Sequence, residues 1–488
     1  MTTYSTAPIL VIGNGPAAHQ VLDRLRHFGC EDPVTVLGAE DTPAYHRALL
    51  TSALDGSLPT EAMELPPPPG DTTIRTGVCA VRIDRVRRRV HTADGDVFPY
   101  ARLILATGAT PILPALPGLR TPDGSPAAGV AVLRTLADCT RLTVPAAPAA
   151  RAARTPVTIL GAGSLGVEAA FALALRNRPV TLVHPRPWPM DHLLDAAAGA
   201  LVRDRLTAAG VELVAGSPAT AYTPASAGAP GTLHLADGNT LPADTLLLCT
   251  GVLPETGLAR TAGLAVRTGI LVDDGMRTDD PLIHAVGDCA EHRGNRGGSL
   301  ASGWAQAEAL ARYLAHGARG ARGVAPARRV LRPRIAGPGL VVLGMPGAAP
   351  CDETITLNDP ANGRYARLEL TGEHITAGVL LGFDRAIATT TELYVHDAPV
   401  PRDRLSFLMG RPPRLPGAGS EEITPETVVC LCNNVTHQDL TRAWHAGARG
   451  LAELASATRA TTGCGGCARQ VESLCVSLAS TTVATTGS

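Results

Sequence analysis

The chain contains no lysine: all 43 of its basic side chains are arginine. That absence excludes a P-loop, whose lysine reaches the phosphates, and any Schiff-base chemistry. There is no surplus of charge either. Formal net charge is -1 and the pI is near 6.9, so no basic face for nucleic acid is expected. No stretch approaches the roughly 20 apolar residues that a membrane span needs. The opening "MTTYSTAPILVIG" lacks a basic n-region and runs straight into a glycine turn. It reads as a first strand rather than a signal peptide. The expectation is a cytoplasmic protein with no membrane partner. Its 11 cysteines are then expected to be reduced unless they bind something. Cys30, Cys79, Cys139, Cys249, Cys289, Cys351 and Cys475 stand alone and read as buried small hydrophobes.

What is present points to nucleotides. At 488 residues the length calls for three or four domains. "ILVIGNGPAAHQVLDRLRHFGCEDPVTVLGAE" reads as strand, glycine turn, helix, strand. Gly13 permits the tight turn, Gly15 lets a pyrophosphate approach the backbone, and Ala18 replaces a third glycine where helix and strand pack closely. The helix is expected to end at Gly29. The second strand is expected to end at Glu40, a carboxylate suited to accept from ribose hydroxyls. "PVTILGAGSLGVEAAFALALRNRPVTLVH" repeats the frame with Gly161, Gly163 and Gly166. Two dinucleotide folds in one chain call for two dinucleotides. Between them lies "LILATGATP", with Ala106, Thr107 and Gly108. Later, "IHAVGDCAE" ends an apolar strand in Gly287-Asp288, which places a carboxylate at the carboxyl end of the first sheet.

These motifs resemble the two-dinucleotide flavoprotein reductases over roughly residues 1–320. The segment "AYHRALLTSAL" is similar to the nitrite reductase large-subunit branch. The resemblance implies FAD on the first fold, with "ATG" and "GD" as further FAD signatures and Arg47 in contact with the flavin. It implies NAD(P)H on the inserted fold, with Glu168 near the nicotinamide. An acid ending the second strand of that fold would favour NAD, and an arginine NADP. Here His184 stands at the position and Arg186 two residues later, and NADH is favoured. No cysteine pair lies near either fold, so the flavin is not expected to reduce a local dithiol.

The text changes after residue 328. "LVVLGM", "DETITLND", "YARLELTG" and "ITAGVLLGF" read as short strands and "FDRAIATTTELYVHDAP" as a helix, a small module similar to the third domain of the same reductases. "GRPPRLPGAGSEEITPET" is a Pro/Gly/Ser linker. Beyond it, Cys430 and Cys432 form C-x-C, and Cys464 and Cys467 form C-x-x-C. Two short helices are expected between them, with Thr436 as an N-cap and Gly447 as a stop. Four thiolates hold a [2Fe-2S] cluster or a structural Zn²⁺. A dithiol at Cys464 and Cys467 alone would leave Cys430 and Cys432 idle. Both pair spacings, the intervening length and the helical filler resemble the bacterioferritin-associated-ferredoxin-like module, which implies [2Fe-2S].

The fold class is therefore α/β: a FAD-binding Rossmann-like domain (1–120 and 245–328) with an inserted NAD(P)-binding Rossmann-like domain (121–244). A small α+β domain (329–409), a linker (410–427) and a small helical [2Fe-2S] domain (428–480) follow. The resemblance implies an oxidoreductase that passes electrons from NAD(P)H by way of FAD to the cluster. The cluster would serve a terminal reductase, either a molybdenum nitrate reductase or a sirohaem nitrite reductase. The resembling nitrite enzymes continue with further cysteines for a sirohaem centre, whereas this sequence ends at Ser488, soon after Cys467, so a separate acceptor is expected. A homodimer is left open. The competing readings are a flavin and iron–sulfur subunit of an amino-acid or opine-type dehydrogenase, and a non-enzymatic iron–sulfur scaffold.

Overall fold

The computed structural model describes residues 7–143, 156–226, 229–317, 323–325, 327–410, 424–425, 427–430, 433, 435–462 and 467–485. The chain divides into two compact units, residues 1–329 and 330–488. In the first unit, the strand Ile9–Ile12 is the centre of a five-stranded parallel sheet. Its order is Ile283–Ala285, Arg102–Leu105, Ile9–Ile12, Val34–Leu37, Thr72–Arg75. Every side chain of the central strand is buried, as a parallel strand covered on both faces requires. Helix Pro16–His27 sends Val21, Leu22 and Leu25 into the same core as Ala307, Leu310 and Ala311 of helix Leu300–His316. Each such buried leucine is worth roughly 2 kcal/mol. The first helix stops as its sequence dictates: Gly29 takes a left-handed φ of 76°, and the Cys30 amide closes on the Leu25 carbonyl. The second strand ends at Leu37 rather than at Glu40. Gly38 bonds to the Arg75 carbonyl there, and Glu40 stands on the loop beyond.

The inserted fold repeats the plan. Its parallel order is Val211–Ala215, Val180–His184, Val157–Leu160, Thr245–Leu248, Val130–Val132. The strand Thr245–Leu248 pairs in this second sheet, so the inserted fold runs past the boundary expected at 244. The chain crosses between the folds along one antiparallel ribbon, Ala109–Pro111 against Val252–Pro254. Two threonines lock it from opposite ends. Thr107 Oγ1 donates to the Glu255 carbonyl at 2.8 Å, and Thr250 Oγ1 donates to the Ile112 carbonyl at 2.7 Å.

In the second unit, five antiparallel strands run in the order Val330–Leu331, Leu340–Leu343, His374–Leu381, Arg364–Thr371, Glu353–Asp359. Helix Asp384–Val395 packs Ala386, Ile387 and Tyr394 on this sheet. Most of the expected linker (411–423 and 426) lies outside the described residues. Helices His437–His445 and Leu451–Thr458 follow. Thr436 caps the first in a reciprocal box with Asp439. Of the seven solitary cysteines, only Cys139, Cys249 and Cys289 are buried. Cys30, Cys351 and Cys475 are half-buried, and Cys79 is exposed because it sits on the turn entering strand Ala80–Asp84.

His284, inside the edge strand Ile283–Ala285, is fully buried, its ring against that of Tyr313. Burial is the main force lowering its pKa to about 4, with the charge of Arg102 acting the same way. The unfolded chain binds a proton near the ordinary value of 6.5, whereas the folded protein does so only near 4. Stability is therefore expected to fall as pH drops through that window, by at most about 3 kcal/mol from this residue. Thermal unfolding at about pH 7 and about pH 5 should show a smaller loss for His284→Phe than for the unaltered protein. An identical loss would place the acid sensitivity elsewhere.

Candidate functional site

The first cleft forms at the carboxyl end of strand Ile9–Ile12, where the sheet order reverses. Gly13 has a φ of 112°, and a Cβ there would lie 2.1 Å from the Ala106 carbonyl oxygen. Only glycine fits. Gly15 caps helix Pro16–His27 with nothing within 4 Å of its Cβ position, so the helix N-terminus opens onto free space. Ala18 is fully buried, as a helix-to-strand contact requires. A shallow cleft beside this turn is lined by Asn14, Gly38, Glu40, Thr42, Tyr45 and Arg47 among others.

One polar network runs along this cleft. Glu40 pairs with Arg47 and accepts from the Tyr45 hydroxyl at 2.6 Å. Arg47 also donates to Tyr45 at 2.8 Å and to the Arg134 carbonyl at 2.8 Å. Burial, the largest cause, pushes the Tyr45 phenol pKa upward, so it remains a neutral donor. The Arg134 side chain donates to the Ala109 carbonyl at 3.1 Å and to Asp288 at 2.9 Å. Asp288 also accepts from the Gly298 amide at 3.0 Å, and the Gly287 amide donates to Gln306 at 2.7 Å. Glu40, Arg47 and Asp288, read separately from sequence, are thus joined through Arg134 in one run of hydrogen bonds, and the Arg134 guanidinium is the nearest group to the Gly108 Cβ position, at 3.8 Å. Tyr45 and Arg134 complete it. They were not singled out from sequence because each reaches the site from a loop with no repeating pattern.

The second cleft has the same construction. Gly161 has a φ of 106°, and a Cβ there would meet the Cys249 carbonyl oxygen at 2.5 Å. At Gly166 a Cβ would come within 1.8 Å of the Gly161 carbonyl oxygen, which presses helix Ser164–Leu175 against the turn. Gly163 caps that helix, its nearest neighbour being the His192 ring at 3.9 Å. Thr51, on helix Leu50–Asp55 of the first fold, donates to Glu168 at 2.9 Å. This bond joins the two folds. Burial, with the Glu168 charge adding to it, pushes the Cys249 thiol pKa up to about 12, so that thiol stays protonated. His184 ends strand Val180–His184 but turns inward and is buried. Arg186 stands exposed, 3.9 Å from Asp191.

In the last domain, Cys430 ends strand Val428–Cys430, which pairs with Val435–Thr436. Cys467 precedes helix Ala468–Thr485 and accepts from the Val471 amide at 3.0 Å. Both cysteines are buried in one core with Leu440, Trp444 and Leu454. Two buried thiols, one from the C-x-C sequence and one from the C-x-x-C sequence, suit a thiolate-held cluster. Cys432 and Cys464 lie outside the described residues. Among the described residues no group of three potential metal ligands comes together, no disulfide forms, and no helix is long and apolar enough to cross a membrane.

The pyridine nucleotide-disulphide oxidoreductase profile fits residues 7–309. The chain belongs to that family. A BFD-like [2Fe-2S] binding domain follows at residues 428–475. FAD, a nicotinamide nucleotide and a [2Fe-2S] cluster are the cofactors of this arrangement. The chain is 27% identical over 475 residues to the nitrite reductase [NAD(P)H] of Bacillus subtilis (strain 168), covering 96% of itself and 57% of that protein. It is 29% identical over 476 residues to the assimilatory nitrate reductase electron transfer subunit of the same organism, covering 96% of itself and 59% of that protein. It thus spans under two thirds of the length of either relative. The solved covalent putidaredoxin reductase–putidaredoxin complex has a chain of the same fold, with a TM-score of 0.69 and 25% identity, covering 81% of this chain and 94% of that one.

Arg134→Ala would remove the guanidinium that ties Asp288 to Ala109. Losing charge-assisted hydrogen bonds of this kind is expected to weaken FAD retention about tenfold or more. Arg141→Ala, which loses only an ion pair of a mostly exposed arginine with Asp138, should leave retention unchanged. Flavin released on dilution, followed by fluorescence, checks both.

Proposed function

We propose that this chain is the electron-transfer component of a nitrate- or nitrite-assimilating system, taking electrons from NADH and delivering them to a terminal reductase. The observation that carries this reading is the duplicated glycine turn. Two helix N-termini, at Gly15 and Gly163, are left open to a pyrophosphate in a chain that also buries Cys430 and Cys467 together. When bound, the flavin exchanges the hydride of NAD(P)H for single electrons, which the cluster can take one at a time.

The residues divide the work. Gly13, Gly15 and Ala18 admit the FAD pyrophosphate, while Glu40, held by Tyr45 and Arg47, accepts from its ribose. Ala106, Thr107, Gly108, Gly287 and Asp288 border the flavin end, with Asp288 oriented by Arg134. Gly161, Gly163 and Gly166 shape the nicotinamide nucleotide site, and Glu168, held by Thr51, stands on the helix that opens there. Cys430, Cys432, Cys464 and Cys467 ligate the cluster. The similarity to an assimilatory nitrate reductase electron transfer subunit supports a separate reductase as acceptor, a molybdenum or a sirohaem protein. The complete second turn weighs against the amino-acid or opine-type dehydrogenase reading, which has no nicotinamide donor, and against a scaffold role.

Anaerobic titration with NADH should bleach the flavin band and raise an S = 1/2 [2Fe-2S] EPR signal. Cys464→Ser should remove the EPR signal while flavin bleaching by NADH persists. Loss of both, with FAD still bound, would contradict this order of electron flow. Gly163→Glu should block bleaching with FAD retained, and undiminished bleaching would sink the assignment of the second fold.

A further inference from the structure

The second nucleotide fold lacks an acid at the end of its second strand. His184 occupies that place and does not face the cleft as a reading residue would. Its Nδ1 accepts from the Ala162 amide at 3.3 Å, and Ala162 is the middle residue of the glycine turn. With Nδ1 used as acceptor, the ring carries its proton on Nε2. That nitrogen donates to Asp191 Oδ1 at 2.8 Å. The strand end therefore presents a carboxylate after all, carried on the tip of a buried imidazole.

The segment that supplies Asp191 is pinned to the same turn. Met190 is fully buried and held at a φ of 55°, a left-handed conformation that a long side chain rarely adopts. Its amide donates to the Ala162 carbonyl at 2.8 Å. Ala162 thus uses its amide on His184 and its carbonyl on Met190. On the other side of Asp191, the His192 ring is the nearest group to the Gly163 Cβ position, at 3.9 Å. Residues 184 and 190–192 form a collar around the turn where the pyrophosphate and adenosine ribose of a dinucleotide lie. The Asp191 side chain keeps 25% of its surface exposed, and Oδ1 is the oxygen that His184 takes. Arg186 is 70% exposed and 3.9 Å from Oδ2, too far for a hydrogen bond and heavily screened by solvent.

We propose that Asp191, rather than His184 or Arg186, reads the adenosine ribose of the nicotinamide nucleotide and selects NADH over NADPH. The proposal rests on the reading of the second fold as the nicotinamide site. Asp191 accepts from the 2′- and 3′-hydroxyls. A 2′-phosphate in the same place sets like charges against each other beside a fixed carboxylate, and this disfavours NADPH. His184 is the positioning residue, and the Ala162 amide determines which of its nitrogens faces Asp191.

The test uses the full chain with FAD and cluster, and two redox-silent probes, ADP-ribose and 2′-phospho-ADP-ribose, titrated by calorimetry. The unaltered protein should bind ADP-ribose more tightly. Asp191→Asn should weaken ADP-ribose about tenfold and narrow or reverse the preference, and Asp191→Glu should recover part of the loss. In steady-state dye reduction, Asp191→Asn should raise the KM for NADH and leave kcat unchanged, the signature of binding lost equally from ground and transition states. His184→Asn keeps an acceptor for Ala162 but loses Asp191. It should weaken ADP-ribose by a smaller factor, with the flavin spectrum unaltered. ADP-ribose binding untouched in Asp191→Asn, or an unaltered protein that prefers the phosphorylated probe, overturns the assignment of Asp191 alone. An unaltered protein that binds neither probe overturns the nicotinamide reading and this proposal with it.

Discussion

Two places where backbone touches backbone govern the catalytic half of this chain. At Gly13 and Gly161 the turn leaving the central strand presses on the carbonyl of the neighbouring strand's exit, at Ala106 and Cys249. No side chain fits between. The contact aims the amides of the following helix at open space, and the partial positive charge of a helix N-terminus then faces the cleft. The "ATG" segment lies against the first turn and "CTG" against the second because both are the far side of this contact. Polar side chains such as Glu40, Asp288 and Asp191 are arranged around a space that the backbone has already cleared.

Arginine does the remaining positioning, and the absence of lysine has a structural counterpart. A guanidinium is planar and offers five donors in a fixed fork, so one residue can join several groups. Arg26 donates to the carbonyls of Pro69, Cys30, Asp32 and Asp71, closing the end of the first helix onto the loop that precedes strand Thr72–Arg75. Arg134 likewise joins Ala109 to Asp288 while its own carbonyl receives Arg47. An ammonium on a flexible stem would not reproduce either set of bonds.

Much of this was legible in the sequence, and the reason is physical. Glycines at fixed offsets report backbone geometry, which depends on few neighbours, so both turns and the stop at Gly29 appear where the text places them. The Thr436 box and the antiparallel strands of the second unit are equally local. Side-chain partnerships across long separations are not. Nothing near Arg134 announces Asp288, and nothing near Thr51 announces Glu168. Strand ends are also poorly signalled: the ladder pairing ends at Leu37 although "VTVLGAE" stays apolar to Ala39. Cys79 reads as core from residue type alone but lies at a turn, because the lone thiol carries no pattern to say which way it faces.

The crossing ribbon ties the inserted fold to its host at a single seam. The inserted fold leaves at Ala109–Pro111 and returns at Val252–Pro254, with the two segments hydrogen-bonded to each other. Its ends are adjacent, as a module needs if it is to be spliced into a host loop without disturbing the host. Each fold also contributes one threonine to the lock, Thr107 from one turn and Thr250 from its counterpart. The junction is therefore symmetric in a way that neither cofactor site requires. The inserted fold is thus tied at its entry and at its exit by the same kind of bond.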